Sequence, residues 1–280
     1  MPVSKLKNLA ILILLLANLA LLLVVIPARY ATKQETDTLH ESLCSLYARQ
    51  EISLSPHIIP DTAPLYMLEL KDTDTGSQHA ATALLGENLL MEDDSSRYLS
   101  AYRSALGACS LSRTGEFSAQ LTGQEEQRDL ERASRKLLRN MGFSCHQLSQ
   151  AQRVRAGVYE VAATQAILGM PVFTGDLVLT WSNSRLTAIE GVFFPGADSL
   201  TRVSDSSCLS AADALIAFLS ARYQLGWVGS AVTSLQQGYI RSETAAAAAV
   251  RLTPVWRLET DTGSFQINGM TGEVTAVSQN

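Results

Sequence analysis

Hydrophobic and polar positions change rhythm sharply at Pro27. Residues 9–26 are apolar at every position except Asn18. At 1.5 Å per residue such a run predicts a helix about 27 Å long, close to the hydrocarbon thickness of a bilayer. Lys5 and Lys7 precede it, and Arg29 and Tyr30 follow in interfacial positions. The run is longer than the core of a cleavable leader, and Ile26-Pro27-Ala28 makes a poor cleavage box. The pattern therefore predicts a cytoplasmic tail over 1–8 and an uncleaved anchor over 9–27. Basic residues on the two sides nearly balance. A short tail and a long following domain favour a cytoplasmic N-terminus and an extracytoplasmic body, single-pass in the cell membrane. Asn18, with Leu15 and Leu22 one helical turn to either side, is the candidate contact with another transmembrane helix.

Beyond the anchor the rhythm is that of a globular domain. Residues 36–50 predict an amphipathic helix with Leu39, Leu43, Leu46 and Tyr47 on one face. After the break at Pro56 to Pro60, residues 65–70 and 79–85 predict strands around a polar turn at 71–77. A further extended segment lies at 89–91, and 109–112 with 116–121 form a hairpin around Arg113-Thr114-Gly115. These make a first extracytoplasmic module over 36–121. Thr122 predicts the N-cap of a second helix, with Leu130, Ala133, Leu137, Leu138 and Met141 as its apolar stripe and Gly142 as its stop. Strands follow at 143–148, 154–167, 172–181 and 186–194, with a turn at Asn183-Ser184, giving a middle module over 122–196.

Pro195-Gly196 and the polar residues 198–207 predict a linker. Ser210 and Asp213 then predict a capping box that opens a third helix, with Leu215, Ile216, Leu219 and Tyr223 inward. Strands at 228–240, 250–260, 264–268 and 273–277 complete a C-terminal module over 205–280. The low-complexity residues 244–249 predict a loop or a small-residue strand. The last two modules each place a Pro-Val-aromatic triplet on a late strand, Pro171-Val172-Phe173 and Pro254-Val255-Trp256. The predicted fold class is α+β: one N-terminal transmembrane helix, then helix-plus-antiparallel-sheet modules, the last two a duplicated unit.

Composition narrows the function. A hydrophobic content of 46% with 18% charged residues suits a packed globule rather than a disordered stalk. A net charge of −5 without a Lys/Arg stripe excludes nucleic acid as partner. Cys44, Cys109, Cys145 and Cys208 show no metal spacing, so buried free thiols are expected, with disulfide pairing open.

Candidate chemistry is sparse. Asp-Thr-Gly occurs at 74–76 and again at 261–263, the number a two-carboxylate protease needs. The polar flanks instead predict two hairpin turns, in which Gly supplies positive φ. Asp72 and Asp74 resemble the start of a calcium loop, but Thr82 stands where the closing acid belongs. Glu92-Asp93-Asp94 predicts a solvated charge run. His40-Glu41 lacks a second histidine one turn on, and no nucleophile elbow or phosphate-binding loop is present. No catalytic residue, metal or cofactor is expected, and the chain is not predicted to be an enzyme.

Three stretches of the C-terminal module carry a resemblance: Gly238-Tyr239-Ile240, then 252–259 with Pro254 and Trp256, then 265–274 with Asn268, Thr271 and Gly272. Together they resemble the closing strands of the YycH/YycI regulatory proteins of Gram-positive bacteria. The closing hairpin is also similar to that of the PepSY domain, and the Lys-x-Lys before the anchor is similar to YycI-like proteins. The resemblance covers the anchor and about the last seventy residues. It implies a membrane-anchored accessory regulator of a two-component sensor histidine kinase controlling cell-wall homeostasis. Its partners would be that membrane kinase, a related single-pass regulator and the lipid bilayer, reached partly through the transmembrane helix. Tyr239, Pro254, Trp256, Asn268, Thr271 and Gly272 match the closing motif, in a structural rather than a binding role. The alternative is a tethered PepSY-like binding or peptidase-inhibitor module of the envelope.

Overall fold

The structure, a computed structural model of the 280-residue chain, describes Leu14 and residues 36–70, 74–94, 99–196, 200–242 and 250–277. Leu14 is helical. The rest of the predicted anchor, including Leu15, Asn18 and Leu22, lies outside the described residues, as does the alanine-rich run 244–249. Among the described residues no helix is long and apolar enough to cross a membrane.

The fold is mixed α+β, dominated by antiparallel strands. A middle sheet runs in the order β9 (Met170–Ser182), β10 (Arg185–Val192), β5 (Glu116–Leu121), β4 (Gly107–Ser112), β3 (Leu99–Ser104) and β2 (Leu90–Asp94). On the other side of β9 lies β8 (Val158–Ile167), which also pairs β6 (Cys145–Leu148) and β7 (Gln152–Arg155). Two helices cover one face, α2 (Asp74–Leu85) and α3 (Leu130–Asn140). The alternation of β5, with Phe117, Ala119 and Leu121 buried and the residues between them exposed, shows why only one face is covered. Asn183 and Ser184 adopt φ of 47° and 63°. They form the two-residue turn whose twist matches the flanking strands of the β9–β10 hairpin.

The C-terminal sheet is built on β13 (Val250–Thr260). On one side lies β12 (Val232–Ser242); on the other, β1 (Leu68–Leu70) pairs its first half and β14 (Ser264–Asn268) its second. The outer strands are β11 (Leu200–Arg202) beside β1 and β15 (Val274–Val277) beside β14. This sheet is packed by α1 (36–48) and α4 (Ala211–Ala221). A single parallel pair, Tyr239 with Val172, joins the two sheets. Each sheet has its own apolar core. Phe193 belongs to the middle one and Phe194 to the C-terminal one, so adjacent residues divide between them.

Several expectations are corrected. Residues 79–85 are not a strand; they are the body of α2, whose buried Ala80, Ala81, Leu84 and Leu85 recur at helical spacing. Alanine is the strongest helix former, and pairs four apart make one continuous face. Asp74-Thr75-Gly76 accordingly opens that helix instead of turning a hairpin. A Cβ on Gly76 would stand 2.7 Å from Pro195 Cβ, so glycine serves close approach there. Strand β3 was not expected, and the linker after Pro195-Gly196 contains β11. The N-cap of α3 is Asp129, accepting from Arg132 N, rather than Thr122. Thr122 instead continues the β-structure, donating its N–H to Leu106 O, and Gly123 with φ of 69° breaks the chain after it. Residues 154–167 divide into β7 and β8 at a turn where Gly157 has φ of 71°. On α4, Leu215 is buried, but Ile216 and Tyr223 are exposed; Ala211, Ala214 and Phe218 fill the inward face instead. On α1, Leu43 and Tyr47 are buried while Leu39 and Leu46 lie at the rim.

Candidate functional site

The closing-motif residues converge with two distant segments in the C-terminal core. Trp256 is wholly buried on β13, and its Nε1 donates to Leu209 O at 3.0 Å, just before the α4 capping box. Ser210 Oγ accepts from Asp213 N at 3.1 Å, and the Asp213 carboxylate accepts from Ser210 N, so the box forms as the spacing predicts. Pro254, also buried, keeps its carbonyl for Gly269 N at 2.9 Å, and Gly269 O in turn accepts from Leu209 N. A Cβ on Gly269 would lie 2.3 Å from Cys208 Sγ, so only glycine fits between thiol and strand. Burial raises the Cys208 thiol, against hydrogen bonds from Gln237 and Trp256 that lower it. Tyr239, also buried, is pushed up to about 12 chiefly by burial.

The hairpin between β14 and β15 is a self-contained turn. Asn268 Oδ1 accepts from Met270 N at 2.8 Å and from Thr271 N at 3.2 Å, and Gly272 N donates to Asn268 O at 2.8 Å. Gly272, with φ of 76°, supplies the left-handed residue the turn requires. All six motif residues thus have internal partners or packing that account for them.

The first helix is seated in the same core. Tyr47 is fully buried, and its hydroxyl donates to Leu215 O in the middle of α4 at 2.7 Å. Burial raises its phenol well above the ordinary range, against the pull of the Arg222 guanidinium. Arg222 Nη2 donates to Gln50 Oε1 at 2.6 Å, joining the end of α1 to the end of α4. The chain then enters the C-terminal sheet: Ser53 N donates to Ser230 O at 2.7 Å, and Val232 N to Ser53 O at 3.0 Å. Thr62 Oγ1 accepts from Ala211 N at 2.9 Å, and the Gln237 amide holds both backbone groups of Ala63. The segment that follows the predicted anchor is therefore no loose stalk. Nothing in the sequence signalled this attachment, because its partners lie about 170 positions away along the chain.

The alternative chemistry finds no assembled site. Asp261 lies at the exposed β13–β14 turn and accepts from Ser230 N at 2.8 Å and Ser230 Oγ at 2.9 Å, which hold its carboxyl below the usual range. Asp74 opens α2, which packs on the other core. Among the described residues no group of three His, Cys, Asp or Glu could hold a metal ion, and all four cysteines are free thiols.

Fold and site together define a two-sheet α+β protein whose first helix is built into its last sheet. Among solved structures it is similar to the Bacillus megaterium YpeB C-terminal domain, at 11% identity and a TM-score of 0.36, covering 74% of this chain and 98% of that one. No protein family matches the chain, and no curated protein does.

Proposed function

We propose that the chain is a non-enzymatic, membrane-anchored accessory regulator of a two-component sensor kinase of the cell-wall homeostasis type. It acts through protein contacts that include its transmembrane helix. One observation carries the reading: α1 follows the predicted anchor and is fixed into the C-terminal core by Tyr47, Gln50 and Ser53. A rigid seat lets an event on the body bias the arrangement of a helix in the bilayer, which is how two separated sites become coupled. The duplicated helix-plus-sheet unit is the scaffold in this reading, and the closing-motif residues build it.

The test exchanges residues 9–27 for an unrelated Leu/Ala helix of equal length, and separately inserts two glycines between residues 31 and 35. Kinase output in the host cell is the readout. Loss of regulation in both variants, with the body still folded, is expected. Unchanged output in both overturns the membrane half of the proposal. Full function from a body released without the helix would favour the tethered binding or inhibitor module. Photocrosslinkers at Leu15, Asn18 and Leu22 should capture a histidine kinase and not lipid alone.

A further inference from the structure

The C-terminal sheet carries a row of polar side chains on the face opposite its core. Gln236 on β12 stands opposite Arg257 on β13, Arg257 opposite Gln266 on β14, and Gln266 opposite Thr275 on β15. Directly opposed residues of antiparallel strands share a face with Cβ atoms about 4.5–5.5 Å apart. The next positions along the strands, Gln237, Trp256 and Ile267, are buried on the other side. The row lies where the two sheets meet. Phe173 reaches across from β9, and the Arg257 guanidinium carbon sits 4.4 Å from its ring centroid. His146 of β6 comes within 3.4 Å of Gln236 Nε2.

Arg257 is half-buried and unused. Its Nε is buried without a partner, and its guanidinium makes no hydrogen bond or ion pair among the described residues. A carboxylate is near at hand two residues on, but Glu259 is engaged by Ser264 Oγ and leaves Arg257 alone. A partly desolvated guanidinium with five idle donors is costly unless something completes it. Held over an aromatic ring, it offers a preoriented planar fork, the geometry that matches a carboxylate with two parallel hydrogen bonds. The flanking glutamines add neutral amide donors, and the seam between two packed units is where ligand sites concentrate.

We propose that this row binds a carboxylate group, gripped by Arg257 over Phe173 and flanked by Gln236, Gln266 and His146. The carboxylate belongs to a peptide, as a free C-terminus or as an acidic side chain. The site stands apart from the anchor, so its failure leaves the regulatory reading untouched.

The test is calorimetric titration of the full chain in non-ionic detergent with three capped peptides: Ac-Gly-Ala-Ala with a free C-terminus, the same peptide amidated, and Ac-Gly-Glu-Ala amidated. Binding of either carboxylate peptide, with the neutral amide silent, is expected, and the one that binds identifies the source. Arg257→Gln should abolish the binding. Arg257→Lys, which keeps the charge and loses the fork, should weaken it about tenfold. Should Arg257 variants fold poorly, Gln266→Glu adds repulsion without touching Phe173 and should also abolish it. Glu259→Gln removes a neighbouring negative charge and should tighten it. Equal binding of the amide, silence of all three peptides at millimolar concentration, or full binding by well-folded Arg257→Gln overturns the proposal.

Discussion

The side chain of Gln165 holds the backbone of Phe194 at both ends. Its Nε2 donates to Phe194 O at 2.8 Å, and its Oε1 accepts from Phe194 N at 2.9 Å. Gln237 does the same to Ala63, with Oε1 accepting at 3.0 Å and Nε2 donating at 2.9 Å. Both gripped residues stand before a proline, Pro195 and Pro64. Proline has no N–H to continue a ladder and biases its predecessor to extended backbone. A buried amide therefore replaces the missing strand neighbour at two separate places in the fold.

Replacing either glutamine by leucine strands a backbone donor and acceptor in a dry site. Gln165→Leu should lose about 2–4 kcal/mol of stability, since each orphaned buried group costs about 1–3 kcal/mol. Urea denaturation of the body gives the number. A loss below about 0.5 kcal/mol would show that water or strand rearrangement satisfies Phe194.

The seat of α1 rests on one hydroxyl and the packing around it. Tyr47→Phe removes only the bond to Leu215 O and should cost about 1 kcal/mol. Tyr47→Ala also empties a fully buried site and should cost about 3–5 kcal/mol. Thermal melts of the pair separate polar from packing contributions.

High pH should destabilise the fold well before it damages the chain. Burial pushes the Cys109 thiol up to about 12 from its ordinary value of 9.0. The unfolded thiol ionises first, so the stabilising contribution is fully present below pH 9 and falls away as pH rises toward 12. The slope approaches about 1.4 kcal/mol per pH unit for each such group. Tyr239, pushed up to about 12 from 10.0, adds its own loss above pH 10. Denaturation between pH 8 and 10.5 should show the decline, and Cys109→Ala should flatten its first part.

The seam between the sheets tolerates no added atom at Gly238. A Cβ there would meet Pro171 O at 2.6 Å and the Phe173 ring at 2.7 Å. Gly238→Ala should cost about 1–3 kcal/mol through this overpacking and should lower the melting temperature while helix content stays constant by circular dichroism.

Where local pattern dominates, the sequence was legible. The bounds of β13 and β14, the Ser210–Asp213 capping box and the Asn183-Ser184 turn all follow from alternation and turn chemistry. Residues 79–85 misled because a short Ala/Leu run satisfies strand and helix alike, and the preceding Asp-Thr-Gly imitates a turn. β11 was hidden because its three residues borrow their strand character from pairing with β1. Gln165, Gln237 and the contact of Arg257 with Phe173 were illegible for a different reason. A buried amide or a stacked guanidinium looks the same in sequence as an exposed one, and only the tertiary partner distinguishes them. The motif residues from Tyr239 to Gly272 stood out in the sequence, but that they close around Cys208 and Leu209 did not.

Because α1 docks on residues that the ribosome makes more than 150 positions later, its resting place does not exist while most of the chain is being synthesised. The earliest exported segment must wait, with Leu43 and Tyr47 uncovered, until α4 and the last hairpins emerge. Closing so large a loop is slow and keeps greasy surface in reach of neighbours. Biogenesis of this protein should accordingly lean on envelope chaperones, and chains truncated anywhere before the final strands should be cleared by proteolysis instead of persisting half-built.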